Sequence, residues 1–302
     1  MIFRHFLLFA LIILSACKRQ DGSQETENDN TLHYSVETVV YKQVAQVNPN
    51  LLSLDVYFDR SDNQPKPVII WVHGGAWCIG DKRNALDDKK KLFASLGYVF
   101  VSINYRLSPY PYELNNPNRI KFPIHNTDVS DAIKWVYDHI SDYGGNPDKI
   151  ALLGHSAGAH LISLTGTNQS FLQQSGVPVT AIKGIASIDT EAYDIYHLIQ
   201  NLQSEMHINA FGIDPQENIA ASPIRNITGN SYIPAFFIGK RGNADRLAAA
   251  NYFIQSLRQN NVSVTEVEAN MYSHSGINAA IGKEGENIIT PPLVTFFENC
   301  FR

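Results

Sequence analysis

The segment "GHSAG", residues 154–158, places a serine between two glycines. The apolar run "KIALL" precedes it, and "AHLISLTG" follows it as a predicted helix. A strand, a tight turn and a helix in this order predict that the hydroxyl of Ser156 projects above a sheet. The helix dipole at that point favours developing negative charge, which suits nucleophilic attack on a carbonyl group. A serine that only caps the helix is the alternative interpretation.

A second glycine motif, "HGGAW", begins at His73 and ends another apolar run. Glycine lets backbone N–H groups approach a substrate closely, so this turn is expected to bind an oxyanion. We predict that the N–H groups of Gly75, Ala76 and Ala157 form the oxyanion hole. Gly74 is the alternative to one of these three donors. His73 is expected to hold the turn by hydrogen bonding and not to act as a base.

The elements around these motifs alternate between short apolar runs and segments with helical spacing. Nearly continuous apolar runs predict strands that are buried on both faces of a parallel sheet: "KPVIIWV", "YVFVSIN", "KIALLG", "AIKGIASI" and "IPAFFIGK". Two earlier runs, "HYSVETVVY" and "LLSLDVYF", predict an antiparallel hairpin at one edge. The pattern predicts an α/β domain over residues 32–302, with a mostly parallel central sheet flanked by helices. Residues 190–230 break the alternation and predict a small lid-like insertion.

The composition excludes several classes of function. The 302 residues carry a formal net charge of −5, and no basic stripe is present, so we predict no nucleic-acid partner. The His and Asp residues show no metal-binding spacing, and no glycine-rich nucleotide motif occurs. We therefore predict neither a cofactor nor a metal.

The chain resembles the α/β-hydrolase superfamily, and within it the carboxylesterases with an HGG-type oxyanion motif. These include hormone-sensitive-lipase-like esterases, bacterial feruloyl and acetyl-xylan esterases, and kynurenine formamidases. The resemblance rests on "HGGAW" and on "DYGGNPDKIALLGHSAGAHL", and it covers about residues 36–301. It implies the α/β-hydrolase fold and a nucleophile, an acid and a histidine in that chain order.

The resemblance places the base after the last strand, where "VSVTEVEANMYSHSG" contains His274. It places the acid after the preceding strand, where "IPAFFIGKRGNADR" contains Asp245. Asp189, at the end of "GIASIDT", is the alternative acid, because the segment around Asp245 departs from the usual G-x-x-D turn. The alternative role of Asp245 is that of an acidic residue at the N-terminus of the following helix, where it would stabilise the helix dipole. The chain offers other histidines as alternatives to His274: His125, His155, His160, His197 and His207.

The N-terminal segment "MIFRHFLLFALIILSAC" has a basic start and an apolar run too short to span a bilayer. Its end, "LSAC", resembles the lipobox of bacterial lipoproteins, which implies that Cys17 is lipidated. We predict a lipoprotein signal peptide at 1–17, a disordered tether at 18–31 and a protein anchored in the bacterial cell envelope, periplasmic or outer-membrane facing. A plain secretory signal is the alternative. Cys78 and Cys300 are expected to be separate thiols, with a disulfide as the alternative.

These observations favour a serine carboxylesterase that hydrolyses small or medium esters through an acyl-enzyme. The resemblance implies acetyl or feruloyl esters as substrates. A kynurenine formamidase-like amidase and a non-catalytic binding protein on the same fold are the alternatives. The expected partners are a small-molecule ester and, through the lipid anchor, a membrane.

Overall fold

The computed structural model describes residues 34–59, 64–229 and 232–302. These residues belong to one compact unit, Leu32–Arg302. The predicted signal peptide (1–17), the tether (18–31) and Cys17 lie outside the described residues. None of the described helices is both long enough and apolar enough to cross a membrane.

The described residues form one eight-stranded sheet with the strand order β1-β2-β4-β3-β5-β6-β7-β8. Strands β1, β2 and β4 pair antiparallel, and all the other neighbours pair parallel. The predicted edge hairpin and mostly parallel sheet are therefore confirmed. The strands are β1 Ser35–Val40, β2 Ser53–Phe58, β3 Lys66–Val72, β4 Val99–Ile103, β5 Gly145–His155, β6 Ile182–Ile188, β7 Ala235–Lys240 and β8 Val264–Glu268.

Helices cover both faces of this sheet. Within the described residues they are α1 Asp87–Ser95, α2 Ile124–His139, α3 Ala157–Thr167, α4 Ser170–Ser175, α5 Ile195–Gln200, α6 Glu205–Phe211, α7 Pro215–Ala220, α8 Ala244–Gln259, α9 His274–Ala280 and α10 Thr290–Cys300. Short 3-10 helices occur at Pro49–Leu52, Ile140–Tyr143, Val179–Ala181 and Pro223–Asn226.

The alternation of side chains along the central strands explains the two layers of helices. In β3, Val68 and Ile70 face one hydrophobic core, whereas Ile69 and Trp71 face the other. Helices α2, α3 and α8 bury apolar residues in the first core, and helices α1 and α10 do so in the second. Burial on both faces is what the continuous apolar runs predicted.

This topology brings the chemically active segments to one edge of the sheet. The chain leaves β3 toward α1 on one face and leaves β5 toward α3 on the other, so the connections diverge between these neighbouring strands. Ligands of open α/β sheets bind at such switch points, outside the carboxyl ends of the strands. The "HGGAW" turn follows β3, and Ser156 follows β5.

The segment between β6 and β7, where the sequence predicts an insertion over residues 190–230, contains α5, α6, α7 and the last 3-10 helix. Arg119, in the long loop before α2, fastens this insertion. Its guanidinium donates hydrogen bonds to the carbonyl oxygens of Ile208 and Asn209, at 2.8 and 3.0 Å. The two cysteines of the described residues, Cys78 and Cys300, are free thiols, as expected.

Candidate active site

Ser156 occupies a strained turn between β5 and α3. Its backbone has φ 54° and ψ −119°, a conformation that non-glycine residues rarely adopt. The flanking glycines make this turn possible. A Cβ atom added at Gly154 would lie 2.7 Å from the carbonyl carbon of Gly158, and one added at Gly158 would lie 2.1 Å from the carbonyl oxygen of Val72. The sequence pattern therefore reflects close backbone packing around the half-buried Ser156.

A hydrogen-bonded chain connects Ser156, His274 and a buried carboxylate. The Oγ atom of Ser156 lies 3.0 Å from Nε2 of His274. The Nδ1 atom of the same imidazole lies 2.7 Å from Oδ2 of Asp189. His274 is the first residue of α9, and Asp189 follows β6 directly. The serine and histidine predicted from the sequence therefore meet, and the carboxylate beside them is Asp189.

The choice of Asp245 as the acid is corrected by this geometry. Asp245 lies exposed in the first turn of α8, where it serves as an acidic residue at a helix N-terminus. The chain turns into α8 so soon after β7 that Asp245 joins the helix instead of the strand end. Asp189 follows β6 in a left-handed conformation with φ 48°, and its N–H donates to the carbonyl of Gly239 at 2.7 Å. The unusual "GKRGNADR" segment was the sequence signal for this difference.

Two arginines from that same segment bind the carboxylate of Asp189. Arg246 Nη2 lies 2.7 Å from Oδ1, and Arg241 Nη1 lies 2.8 Å from Oδ2. Burial by itself raises the pKa of Asp189, but the hydrogen bonds from His274, Arg246 and Arg241 outweigh it and hold this pKa below its usual range. Asp189 is therefore charged at neutral pH although its side chain is only 2% exposed. No sequence motif predicted a role for either arginine.

His155 supports the backbone of the catalytic histidine candidate. Its Nε2 donates to the carbonyl oxygen of His274 at 2.9 Å, and the two imidazole rings lie 4.5 Å apart. Burial, together with the neighbouring His274, lowers the pKa of His155 to about 3. His155 is consequently neutral at physiological pH and acts as a hydrogen-bond donor beside His274.

The "HGGAW" turn presents its backbone to the same cavity as Ser156. Positive φ values at Gly75, Ala76 and Trp77 (120°, 52° and 58°) give this turn a left-handed backbone. Among the described residues, no protein atom accepts a hydrogen bond from the N–H of Gly75 or Ala76. Gly74 packs so closely against the serine turn that an added Cβ atom would lie 2.8 Å from the carbonyl oxygen of His155. These N–H groups, with that of Ala157 at the start of α3, are available to an oxyanion.

His73 holds this turn, as expected. Its Nδ1 lies 2.7 Å from the carbonyl oxygen of Gly74, and its ring stacks on Tyr105 at 4.6 Å. The hydroxyl of Tyr105 donates to the carbonyl oxygen of His73 at 3.1 Å. Burial lowers the pKa of His73, so the ring is neutral.

The remaining histidines considered from the sequence have other partners. His125 contacts the hydroxyl of Ser108, His160 the carbonyl of Ala221, His207 the hydroxyl of Ser204, and His197 the amide of Asn201. None of them contacts Ser156 among the described residues. The structure thus leaves His274 as the partner of the serine.

Ser156 and His274 line a cavity of about 540 Å³, here called the triad cavity. Its wall includes Trp71, the glycine turn, Ser156, Glu191, Met206, Arg246 and His274. Among the described residues, the group with metal-ligand geometry comprises His155, Asp189 and His274. Nδ1 of His274 and Nε2 of His155 already form hydrogen bonds, to Asp189 and to the carbonyl oxygen of His274. Oδ2 of Asp189 also accepts a hydrogen bond from Arg241. The arrangement is suited to proton transfer between a hydroxyl and an imidazole, followed by attack on a carbonyl carbon.

Comparison with known proteins agrees with this architecture. Probable carboxylic ester hydrolase LipM of Mycobacterium tuberculosis is 33% identical over 208 residues, which is 64% of this chain and 45% of that protein. The chain thus spans about half the length of the curated relatives it matches. An esterase from the archaeon Pyrobaculum calidifontis has a TM-score of 0.68 at 22% identity, covering 89% of this chain and 87% of the other. A truncated carbohydrate esterase from gut microbiota has a TM-score of 0.69 at 16% identity, covering 88% and 96%.

The structural neighbours share the α/β-hydrolase fold that the sheet order and the serine turn display. Residues 54–251 match the model of the family described as BD-FAE, which is well over half of the chain. The chain therefore belongs to the BD-FAE family of α/β-hydrolases.

Proposed function

We propose that this protein is a serine carboxylester hydrolase with Ser156, His274 and Asp189 as its catalytic triad. The observation that carries the proposal is the hydrogen-bonded chain from Ser156 Oγ through His274 to Asp189, at 3.0 and 2.7 Å. In acyl transfer, the imidazole accepts the proton of the serine hydroxyl while the oxygen attacks the ester carbonyl. The N–H groups of Gly75, Ala76 and Ala157 then stabilise the oxyanion of the tetrahedral intermediate.

The intermediate collapses when the C–O bond to the alcohol breaks and His274 gives its proton to the departing oxygen. The acyl group remains on Ser156 as an ester. A water molecule, deprotonated by His274, attacks this acyl-enzyme and releases the carboxylic acid, and the serine recovers its proton.

The charges around His274 suit both proton transfers. Asp189 stays ionised and fixes the proton on Nδ1, so Nε2 is the atom that accepts from Ser156. His155 stays neutral, so it adds no positive charge beside an imidazolium. The imidazolium of the transition state is therefore stabilised by a buried carboxylate without opposition from the neighbouring ring.

The substrates we propose are small or medium carboxylic esters, in particular acetyl or feruloyl groups on carbohydrate. Family membership supports an ester substrate, as do relatives described as ester hydrolases and a neighbour described as a carbohydrate esterase. The limited volume of the triad cavity, about 540 Å³, supports a small or medium acyl group.

Hydrolysis of p-nitrophenyl acetate, butyrate and octanoate tests the activity, with wild type and Ser156→Ala assayed in parallel. We expect a fall in kcat of about a thousandfold or more in the variant, because the nucleophile is lost. The preference among the three esters then gives the size of the acyl site. Equal rates for the two proteins would contradict the proposal, and faster cleavage of N-formylkynurenine than of any ester would favour the amidase.

We further propose that Cys17 carries a lipid that anchors the protein in a bacterial cell envelope. The "LSAC" segment after a short apolar run supports this proposal. Cells grown with an alkyne-tagged fatty acid provide the test, with wild type and Cys17→Ala compared. We expect wild type alone to incorporate the fatty acid label and to be recovered in the membrane fraction. An unlabelled wild type in the soluble fraction would contradict the anchor.

A further inference from the structure

A second cavity adjoins the triad cavity where the insertion faces the start of α8. Its volume is about 830 Å³, within the range of small-molecule binding sites. We infer that this cavity, here called the side cavity, binds a sugar unit of the substrate. The inference rests on the proposed function, because the sugar is the alcohol part of the ester that Ser156 cleaves.

The side cavity neighbours the active site and shares part of its wall with it. Glu191, Met206 and Arg246 line both cavities. Arg246 donates to Asp189 of the triad at 2.7 Å and forms an ion pair with Glu191. A ligand in the side cavity therefore lies one side chain away from the triad, as the remainder of a bound ester must.

The walls of the side cavity combine apolar and polar side chains. The apolar part comprises Leu198, Leu202, Met206, Ile224, Ala248 and Ala249. Tyr252 adds an aromatic ring that is 63% exposed. The rest of the lining is polar or aromatic: Glu191, Tyr193, Asp194, His197, Ser204, His207, Asn243, Asp245 and Arg246. A pyranose ring presents apolar C–H faces and a rim of hydroxyl groups, and it matches such a mixed surface.

Asp245 is the wall carboxylate with free acceptor capacity. Asp194 binds the guanidinium of Arg225 at 2.8 and 2.9 Å, and Glu191 pairs with Arg246. No hydrogen bond or ion pair reaches Asp245 from the rest of the described chain. Hydrogen bonds from a neutral hydroxyl to a carboxylate are stronger than those between neutral groups, so Asp245 is suited to hold two sugar hydroxyls.

The competing occupant is a long acyl chain. An alkyl chain in this cavity would remove water from Asp245, Asp194 and Glu191 without replacing its hydrogen bonds, which is costly for charged groups. A polyol replaces those hydrogen bonds. The wall chemistry therefore favours the sugar over the alkyl chain.

Binding of xylotriose, measured by isothermal titration calorimetry, tests the inference without requiring any hydrolysis. We expect wild type to bind and Asp245→Asn to bind about tenfold to a hundredfold more weakly, because the charged acceptor is lost. Tyr252→Ala should weaken binding about threefold to tenfold, and Tyr252→Phe should retain the stacking face and bind nearly as wild type. Asp87→Asn is the matched control, because Asp87 is also an exposed acid in the first turn of a helix.

Kinetics provide the second measurement. For Asp245→Asn, we expect the ratio of kcat/KM for acetylated xylotriose to kcat/KM for p-nitrophenyl acetate to fall about tenfold or more. Asp87→Asn should leave this ratio as in wild type. No binding of xylotriose to wild type would overturn the inference, whatever the esterase assays show. A loss of octanoate activity in Asp245→Asn and Tyr252→Ala, with sugar binding intact, would overturn it in favour of an acyl site.

Discussion

Arg246 binds Oδ1 of Asp189 through Nη2 at 2.7 Å, on the opposite carboxylate oxygen from the one that His274 contacts. Arg241 shares Oδ2 with the imidazole. The carboxylate therefore faces three donors, two of which are permanent cations. Both arginines come from the segment after β7 in which the sequence suggested the acid itself.

The identity of the acid is tested by Asp189→Asn and Asp245→Asn. Asp189→Asn should lower kcat on p-nitrophenyl acetate by about ten-thousandfold, because an amide no longer stabilises the imidazolium or fixes its tautomer. Asp245→Asn should keep at least about a tenth of the wild-type kcat, a far smaller effect than loss of the triad acid. Steady-state kinetics at pH 8 measure both, and the reverse ranking would restore Asp245 as the acid.

Removal of an arginine should change the pH profile of hydrolysis. The charged or titratable groups around His274 are Asp189, Arg241, Arg246, Glu191, His155 and Lys89. Arg246→Met removes a cation near the imidazole and so favours its protonated form. The acid limb of kcat/KM should therefore move to higher pH, by about half to one unit.

Arg246→Lys is the control for that experiment, since it keeps the positive charge but lacks the planar guanidinium group. Its acid limb should remain near that of wild type even if kcat falls. An identical acid limb in Arg246→Met and wild type would mean that the arginine only holds the carboxylate in place.

The buried histidines should make folding sensitive to acid. Burial lowers the pKa of His125, His155 and His160 to about 3 and that of His207 to about 4. Below pH 6.5, the unfolded chain binds protons at these sites that the folded chain does not bind. The free energy of unfolding should therefore fall as the pH decreases from 6.5 toward 4, with a limiting slope of about 1.4 kcal/mol per pH unit for each histidine.

Urea unfolding at pH 7, 6 and 5 measures this slope. In the variant His125→Asn, the free energy of unfolding should fall less steeply with decreasing pH. The slope should be smaller by up to about 1.4 kcal/mol per pH unit, which corresponds to one proton. A free energy of unfolding that stays constant between pH 7 and 5 would show that the folded protein protonates these rings readily.

Gly158→Ala tests the close packing behind the nucleophile. The added methyl group would lie 2.1 Å from the carbonyl oxygen of Val72, so β3 and α3 must move apart. We expect a loss of about 1–3 kcal/mol in the free energy of unfolding and a fall in kcat, because Ser156 shifts with its turn.

Gly97→Ala is the matched control, since a Cβ there meets no atom within 4 Å. Its left-handed backbone, with φ 69°, should cost about 1 kcal/mol without affecting kcat. A Gly158→Ala protein with wild-type kcat would show that the serine turn tolerates displacement.

Local sequence patterns predicted the parts of the site that depend on local geometry. Ser156 sits in a turn that its own flanking glycines define, and His274 follows the last strand at the edge where Ser156 must lie. Asp189 was only an alternative, because its orientation depends on a left-handed turn held by Gly239 of the neighbouring strand. The arginines were not predicted, since their contacts with Asp189 join segments more than fifty residues apart, at separations of 52 and 57.

The hydrogen bond from His155 to the carbonyl of His274 has a mechanical consequence. His155 precedes the nucleophile directly in the chain, so the same strand end that carries Ser156 also holds the main chain of the base. We therefore expect a change that moves the end of β5 to displace Ser156 and His274 together.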